Sequence, residues 1–277
     1  MDLLNAILTG LTSLLWVPLA PLPAWLVLVV WSALAAVLAG SMFRYTSNQR
    51  ALADVGDRIR ANLLGMRLFK EELGVTLRCQ AQLLRAAALR FWYALPAFAA
   101  MLVPFVFLLV QLALRYEYRP LTPDESAVVV LHVAPEEWPH CRQVRLELPD
   151  GVVAETPALH DEVEHAIYWR IRPTRAGAFE LRWQLGQNLV TKSLTVADDA
   201  RRLQIVSPQR PGRGLWDRLL YAAEPALPGD SPARAVLVEY PRRSTPIFGF
   251  DVPWWLTFLV LSIVIAVLLR PVLKVKF

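Results

Sequence analysis

The 24 residues FWYALPAFAAMLVPFVFLLVQLAL, positions 91–114, contain no charged side chain. As a helix rising 1.5 Å per residue they would be about 36 Å long, enough to cross the roughly 30 Å of hydrocarbon in a bilayer. Pro96 and Pro104 predict kinks rather than breaks, and Gln111 is the single strongly polar side chain. Two further stretches pass the same test. Residues 24–43 are free of charge, and residues 254–269 form a shorter span that recruits Val272 and Leu273 or sits where the bilayer thins. Trp25, Trp92, Tyr93, Tyr116, Tyr118, Trp254 and Trp255 stand at the ends, where amphipathic rings favour the membrane–water boundary.

Composition agrees with three spans. Of 277 residues, 55% are hydrophobic and 19% charged, whereas about a quarter of an ordinary soluble domain is charged. Twenty-one prolines against twelve glycines exclude a collagen-like chain. The Leu, Ile, Val and Phe content excludes disorder over most of the length. Ahead of the first span, Leu4, Ile7, Leu8, Leu11, Leu14 and Leu15 recur at helical spacing opposite Asn5, Thr9, Thr12 and Ser13. Residues 3–19 therefore predict a half-buried helix, lying in the interface or crossing it. Pro18, Pro21 and Pro23 separate this helix from the span.

Charge assigns the sides, because short loops rich in Lys and Arg stay in the cytoplasm. Residues 44–90 hold nine basic and four acidic side chains, the tail adds Arg270, Lys274 and Lys276, and residues 115–251 hold seventeen basic and nineteen acidic ones. The expected topology places the amino terminus and residues 115–252 outside, with residues 44–90 and the tail inside, in a bacterial inner membrane. Basic residues concentrated beside spans argue against direct nucleic-acid binding. Cys79 and Cys141 then fall on opposite sides and cannot pair.

Residues 44–90 lack proline, and Leu52, Ile59, Met66 and Leu73, with Val55, Phe69 and Leu83, follow a seven-residue register of coiled-coil type. With both ends fixed in the membrane, the segment predicts a helical hairpin whose tip lies near residue 67, with Gly65 as the nearest turn candidate. Arg58, Arg60, Met66, Arg67 and Lys70 are the candidate partner-binding residues of this arm. It either contacts anionic lipid, a ribosome or another protein, or merely joins two spans.

From Ala127 the period changes to two. Strands are expected over 127–133, 143–148, 152–156, 166–171, 178–185 and 189–196, with turns at Asp150-Gly151 and Gly186-Gln187-Asn188. A linker over 198–213, a short amphipathic helix over 215–223 and a strand over 235–240 lead back to the membrane. The fold class is α+β: three transmembrane helices, a cytoplasmic helical hairpin and an extracytoplasmic antiparallel β-sandwich. The domain boundaries fall at 1–43, 44–90, 91–114, 115–200, 201–252 and 253–277. Residues 172–183, followed by Leu194-Thr195-Val196, resemble the closing strands of bacterial immunoglobulin-like domains.

All four histidines lie in the exported part. His140 adjoins Cys141, and His160 and His165 flank acidic residues; these are zinc-type donors, but no spacing matches a metal motif. No nucleophile motif and no phosphate loop is present, so neither enzymatic activity nor a cofactor is expected. Within the spans Gln111 and Ser262 are the candidate polar residues. The absence of a buried ionisable side chain argues against a pump or ion-coupled transporter.

The order of parts, with Ser47-Asn48-Gln49 after the first span and Tyr118-Arg119-Pro120-Leu121-Thr122-Pro123 after the second, resembles the Oxa1/YidC/TMCO1-type membrane insertase superfamily. That resemblance implies a hairpin that recruits a ribosome or nascent chain and a polar groove between spans. This chain departs from it in having no basic residue within a predicted span and a sheet domain before the third. Two roles follow: a membrane-anchored scaffold or binding protein, homo-oligomeric or attached to an envelope partner through its exported sandwich, and an insertase-like chaperone or assembly factor working through the hairpin. The first is favoured slightly, because it needs no polar groove.

Overall fold

The computed structural model describes residues 10, 12–69, 71–141, 144–186, 188–212, 214–244, 246–247 and 250–273. Lys70 and most of the predicted amphipathic segment (Leu4, Ile7, Leu8 and Leu11) lie outside these residues. Three helices are long and apolar enough to cross a membrane: Ala24–Thr46, Gly74–Tyr116 and Trp254–Pro271. The chain divides into two compact units, one comprising Met1–Val27 and Phe107–Trp254, the other Leu28–Val106 and Trp255–Phe277.

In the second unit, helix α1 (Ala24–Thr46) stops at Ser47, and Asn48 caps helix α2 (Gln49–Leu68) by accepting a hydrogen bond from the Ala51 amide at 3.1 Å. A short turn leads into helix α3 (Leu73–Tyr116). No helix end marks residue 91. Residues 75–95 contain neither glycine nor proline, so nothing stops the helix, and the return arm of the hairpin continues into the span. The tip also differs from expectation. Gly65 stays helical, and a Cβ there would sit 3.1 Å from Cys79 Sγ, so this glycine lets the two arms approach. The first arm runs on to Leu68 before it ends, and Thr76 Oγ1 on the second arm donates to the Phe69 carbonyl at 3.1 Å. Of the heptad seam, Leu52 and Val55 are buried. Leu52 packs with Phe43, Ala94 and Ala97, close to where the hairpin leaves the spans.

The first unit holds the sheets. Strands β1 (Ala127–Val133), β2 (Leu146–Glu147), β3 (Val152–Ala154), β4 (Leu159–Asp161), β5 (Ala166–Pro173), β6 (Gly177–Leu185), β7 (Asn188–Val196), β8 (Gln209–Arg210) and β9 (Ala233–Val238) pair antiparallel in two sheets. One has the order β3-β5-β1-β9-β8, with β4 also on β5; the other is β2-β6-β7. A further two-stranded ribbon joins Pro246–Ile247 to Phe250–Asp251. Asp150-Gly151 does not close a hairpin as expected, because β2 pairs with β6 and β3 with β5; this turn carries the chain from one sheet to the other. Gly151 adopts φ +99°, and a Cβ there would meet Arg175 Nε at 2.6 Å, so glycine is required twice over. Gly186, at φ +61°, opens the tight β6–β7 turn, with Leu185 opposite Asn188.

One hydrophobic cluster draws on both sheets. Val129, Leu131, Ile167 and Trp169 come from one, and Leu181, Trp183, Val190 and Leu194 from the other. Period-two alternation makes this cluster: in β6 Phe179, Leu181, Trp183 and Leu185 point inward while Glu180 and Arg182 point out. Strand β7 breaks the rule once. Lys192 occupies an inward position between Val190 and Leu194 and is completely buried. Its ammonium donates to the Ser207 carbonyl at 2.6 Å and is ion-paired with Glu224, which also accepts from Ser193 Oγ at 2.7 Å. Burial would raise the Glu224 carboxyl, but Lys192 and the neighbouring hydroxyls outweigh it and hold the group below the usual carboxylate range.

A buried ammonium without a counter-ion is far costlier than an apolar side chain in the same place. Glu224→Ala is expected to destabilise the sheets by about 3–5 kcal/mol. The double variant Lys192→Met with Glu224→Leu should recover most of that loss. Thermal unfolding followed by tryptophan fluorescence in detergent measures both, and a single variant as stable as the double one would refute the pairing.

Candidate functional site

A cluster of buried polar side chains forms where the ends of the apolar helices meet. Gln111 and Arg115 stand one turn apart on α3, and both are buried, Arg115 at 3% exposure. The Arg115 Nη1 donates to the Gln111 carbonyl at 3.2 Å, and its guanidinium lies 4.6 Å from the centre of the Trp16 ring. Thr12 Oγ1 donates to Gln111 Oε1 at 2.9 Å. Thr12 therefore stands level with Gln111 and Trp16 level with Arg115, so residues 12–16 run alongside the end of α3 in the same direction. Tyr116 completes the group. Its hydroxyl donates to the Ala24 carbonyl at 2.7 Å, and its ring stacks on Trp254 with centroids 6.0 Å apart. Trp254 Nε1 donates to Glu117 Oε2 at 2.7 Å.

This group corrects one expectation. The predicted span ended at Leu114 and held no basic residue, but the helix continues to Tyr116 and carries Arg115 inside it. An arginine at the edge of an apolar run looks like a flanking anchor in the sequence; only the side chains of Trp16 and Gln111 show that it is covered.

The segment after the span is tied down tightly. Arg119 grips Glu125 with two parallel bonds of 2.8 and 2.7 Å, and Glu125 also accepts from the Thr122 amide and hydroxyl. The hydrogen-bonded Arg119 is the largest cause of a Glu125 carboxyl lowered to about 2 from its ordinary 4.5. Arg243 is half-buried, and its Nη1 and Nη2 donate to the carbonyls of Arg201 and Arg202 at 3.0 Å each.

The hairpin candidates fall on an open surface. Arg58, Arg60 and Arg67 are exposed, and Met66 is half-buried. Arg60 lies 3.6 Å from Asp57, a solvent-exposed pair of small energetic weight. Around them the structure reveals what the register did not predict: Leu63, Leu64, Leu68, Phe69, Leu77 and Leu84 are 48–67% exposed. Ser262 is buried in the last apolar helix (Trp254–Leu273) and donates to the Leu259 carbonyl of the same helix at 2.9 Å.

The zinc-type donors are only partly brought together. Trp138 opens a one-turn helix α4 (Trp138–Cys141), and its ring meets His160 and His165 edge-on at 6.2 and 5.6 Å. His140 is exposed, 3.9 Å from Glu137, and Cys141 is buried, which pushes its thiol up. Among the described residues no group of three His, Cys, Asp or Glu side chains could hold a metal ion. Asp161 builds the turn between the histidines by accepting from the amides of Val163 and Glu164. A groove of about 470 Å³ lies beside Asp150 and Phe179, where Arg182 pairs with Glu180 at 2.9 Å and Arg175 donates to the Asp150 carbonyl.

Compared with known proteins, the chain matches no family model, no curated protein and no solved structure.

Because Glu125 ionises more readily folded than unfolded, its stabilisation is complete above pH 4.5 and disappears as pH falls through about 2. Glu125→Gln should lower stability at neutral pH and flatten the stability–pH curve across that window. Acid titration of denaturant midpoints for both proteins tests this, and identical slopes would refute the clamp.

Proposed function

We propose that this is a membrane protein of insertase-like type, a non-enzymatic chaperone or assembly factor, whose hairpin arm receives apolar segments of other polypeptides. The excess of basic residues in 44–90 supports a cytoplasmic arm and an exported sheet domain, in the manner of a bacterial inner-membrane protein. We read the two sheets, with their common core, as an immunoglobulin-like sandwich.

The observation that carries the function is the surface of the hairpin. Leu63, Leu64, Leu68, Phe69 and Leu77 stand open around the tip, interspersed with Arg58, Arg60, Arg67 and Arg78. A segment with nine basic residues does not belong in hydrocarbon, yet these side chains are not packed on each other. An arm that carries apolar side chains among arginines suits a transient partner that is itself apolar and emerges near acidic surfaces, as a nascent chain does on a ribosome. The resemblance of the part order to the Oxa1/YidC/TMCO1-type superfamily points the same way.

A second role has its own support. Val153, Leu159 and Val163 are exposed beside the short outer strands of the six-stranded sheet, a place where an envelope partner or a second copy would add contacts. In that role the spans anchor a scaffold, and deleting 127–197 abolishes activity without preventing membrane integration.

Photo-crosslinking from position Met66 in native membranes distinguishes the two. Adducts to ribosomes or nascent chains are expected, and Leu64→Asp with Leu68→Asp should reduce them several-fold without changing the amount of protein in the membrane. No such adduct from Met66 would reject the insertase-like role.

A further inference from the structure

Helix α5 (Leu215–Leu220) turns its apolar face away from the domain it belongs to. Leu215, Trp216 and Leu220 are 70%, 73% and 53% exposed, and with Leu219 they share one side of the helix. The charged pair faces the other way. Asp217 is half-buried, and its carboxylate lies 3.2 and 3.1 Å from where a Cβ would stand on Gly212 and Gly214, two positions whose lack of a side chain leaves it room. Arg218 is half-buried beside it. A helix covering an ordinary soluble domain has the opposite arrangement.

The same unit shows what lies nearby. The Val206 amide donates to the Leu114 carbonyl, in the last turn of α3, at 2.9 Å. The next residue, Ser207, accepts from Lys192, which pairs with Glu224, four residues past the end of α5. A short chain of bonds thus connects α5 to the end of an apolar span. Arginines surround that same end. The Arg243 amide donates to the Glu117 carbonyl, its side chain holds the carbonyls of Arg201 and Arg202, and Arg242 bridges to Tyr118. The side chains of Arg201, Arg202 and Arg242 are exposed.

We infer that the exported domain docks on the outer leaflet, with Leu215, Trp216, Leu219 and Leu220 seated at the boundary between headgroups and acyl chains and Arg201, Arg202 and Arg242 facing lipid phosphates. An outward Trp and Leu face, on a domain that also exposes arginines at the span end, is the composition that interfacial segments use, and it continues the boundary marked by Tyr116 and Trp254. A protein partner would also cover Leu and Trp, but it would not account for their placement beside a span end. This docking is independent of what the hairpin binds.

The test uses the full chain with Cys79→Ser in nanodiscs of phosphatidylethanolamine and phosphatidylglycerol. Trp216→Cys and, separately, Leu220→Cys carry an environment-sensitive fluorophore; Asp230→Cys is the aqueous reference and Trp255→Cys the membrane reference. Doxyl-labelled lipid should quench positions 216 and 220 about twofold more than position 230, approaching the quenching at 255. Quenching at both positions no stronger than at 230 would overturn the inference. A photo-crosslinker at 216 that forms adducts with protein rather than lipid would do the same.

Discussion

Tyr116 is the side chain on which three helix ends converge. Its hydroxyl binds the Ala24 carbonyl, one ring face stacks on Trp254, and Trp16 lies 6.1 Å away. A tyrosine suits this place because its ring is apolar and its tip is a hydrogen-bond donor, so it can end a run of hydrocarbon and satisfy a backbone group in one step. The geometry beyond depends on it. Only four residues separate Tyr116 from Leu121, whose amide donates to the Thr195 carbonyl of β7. Arg119 meanwhile donates its amide to the Pro241 carbonyl. The chain therefore passes from span to sheet without a flexible linker, and the residues that return to the third span are paired with those that left the second.

The segment from 198 to 244, of which 198–213 looks like a linker in composition, behaves as part of the sheets. Lys192 explains why. An ammonium in an inward position of β7 cannot be left alone, and its partners Ser207 and Glu224 both come from this segment. Arg210 adds a second tie by donating to the carbonyl of Thr191 and, at 2.9 Å, to its hydroxyl. Tyr240 adds a third, its oxygen accepting from the Thr195 amide at 2.9 Å. These polar ties add to the apolar ones that the same stretch makes through Val206, Leu227, Val236 and Val238, which lie in the core.

Much of the architecture was legible in the sequence because it rests on local periodicity. Uncharged runs gave the three spans, alternation gave β1, β5, β6 and β7, and the β6–β7 turn followed from its glycine. Errors arose wherever a distant partner decides. Strand β4 and helix α4 are too short to show a period, and β2 was overestimated because its residues alternate without a neighbour to pair beyond Leu146 and Glu147. The candidate site was less legible. Gln111 stands out in the sequence as the polar residue of the second span, but its partners Thr12 and Arg115 do not, since one lies 99 residues away and the other resembles a flanking charge. The hairpin arginines were visible; the open leucines beside them were not, because a heptad register predicts burial for the seam and says nothing of the other faces.

Exposed apolar side chains in this protein fall into two classes, separated by the solvent that would take them. Leu102, Val103, Val260 and Val264 lie in uncharged spans, where lipid is as good a neighbour as protein, and need no partner. Leu64 and Leu68 sit among arginines, on a helix with glycines at positions 56 and 65 that each weaken it by about 1 kcal/mol relative to alanine. The buried positions of that helix are Leu52 and Val55, so those leucines are not part of its packed seam. Their exposure on an arm that carries nine basic residues is what separates them from the lipid-compatible side chains of the spans.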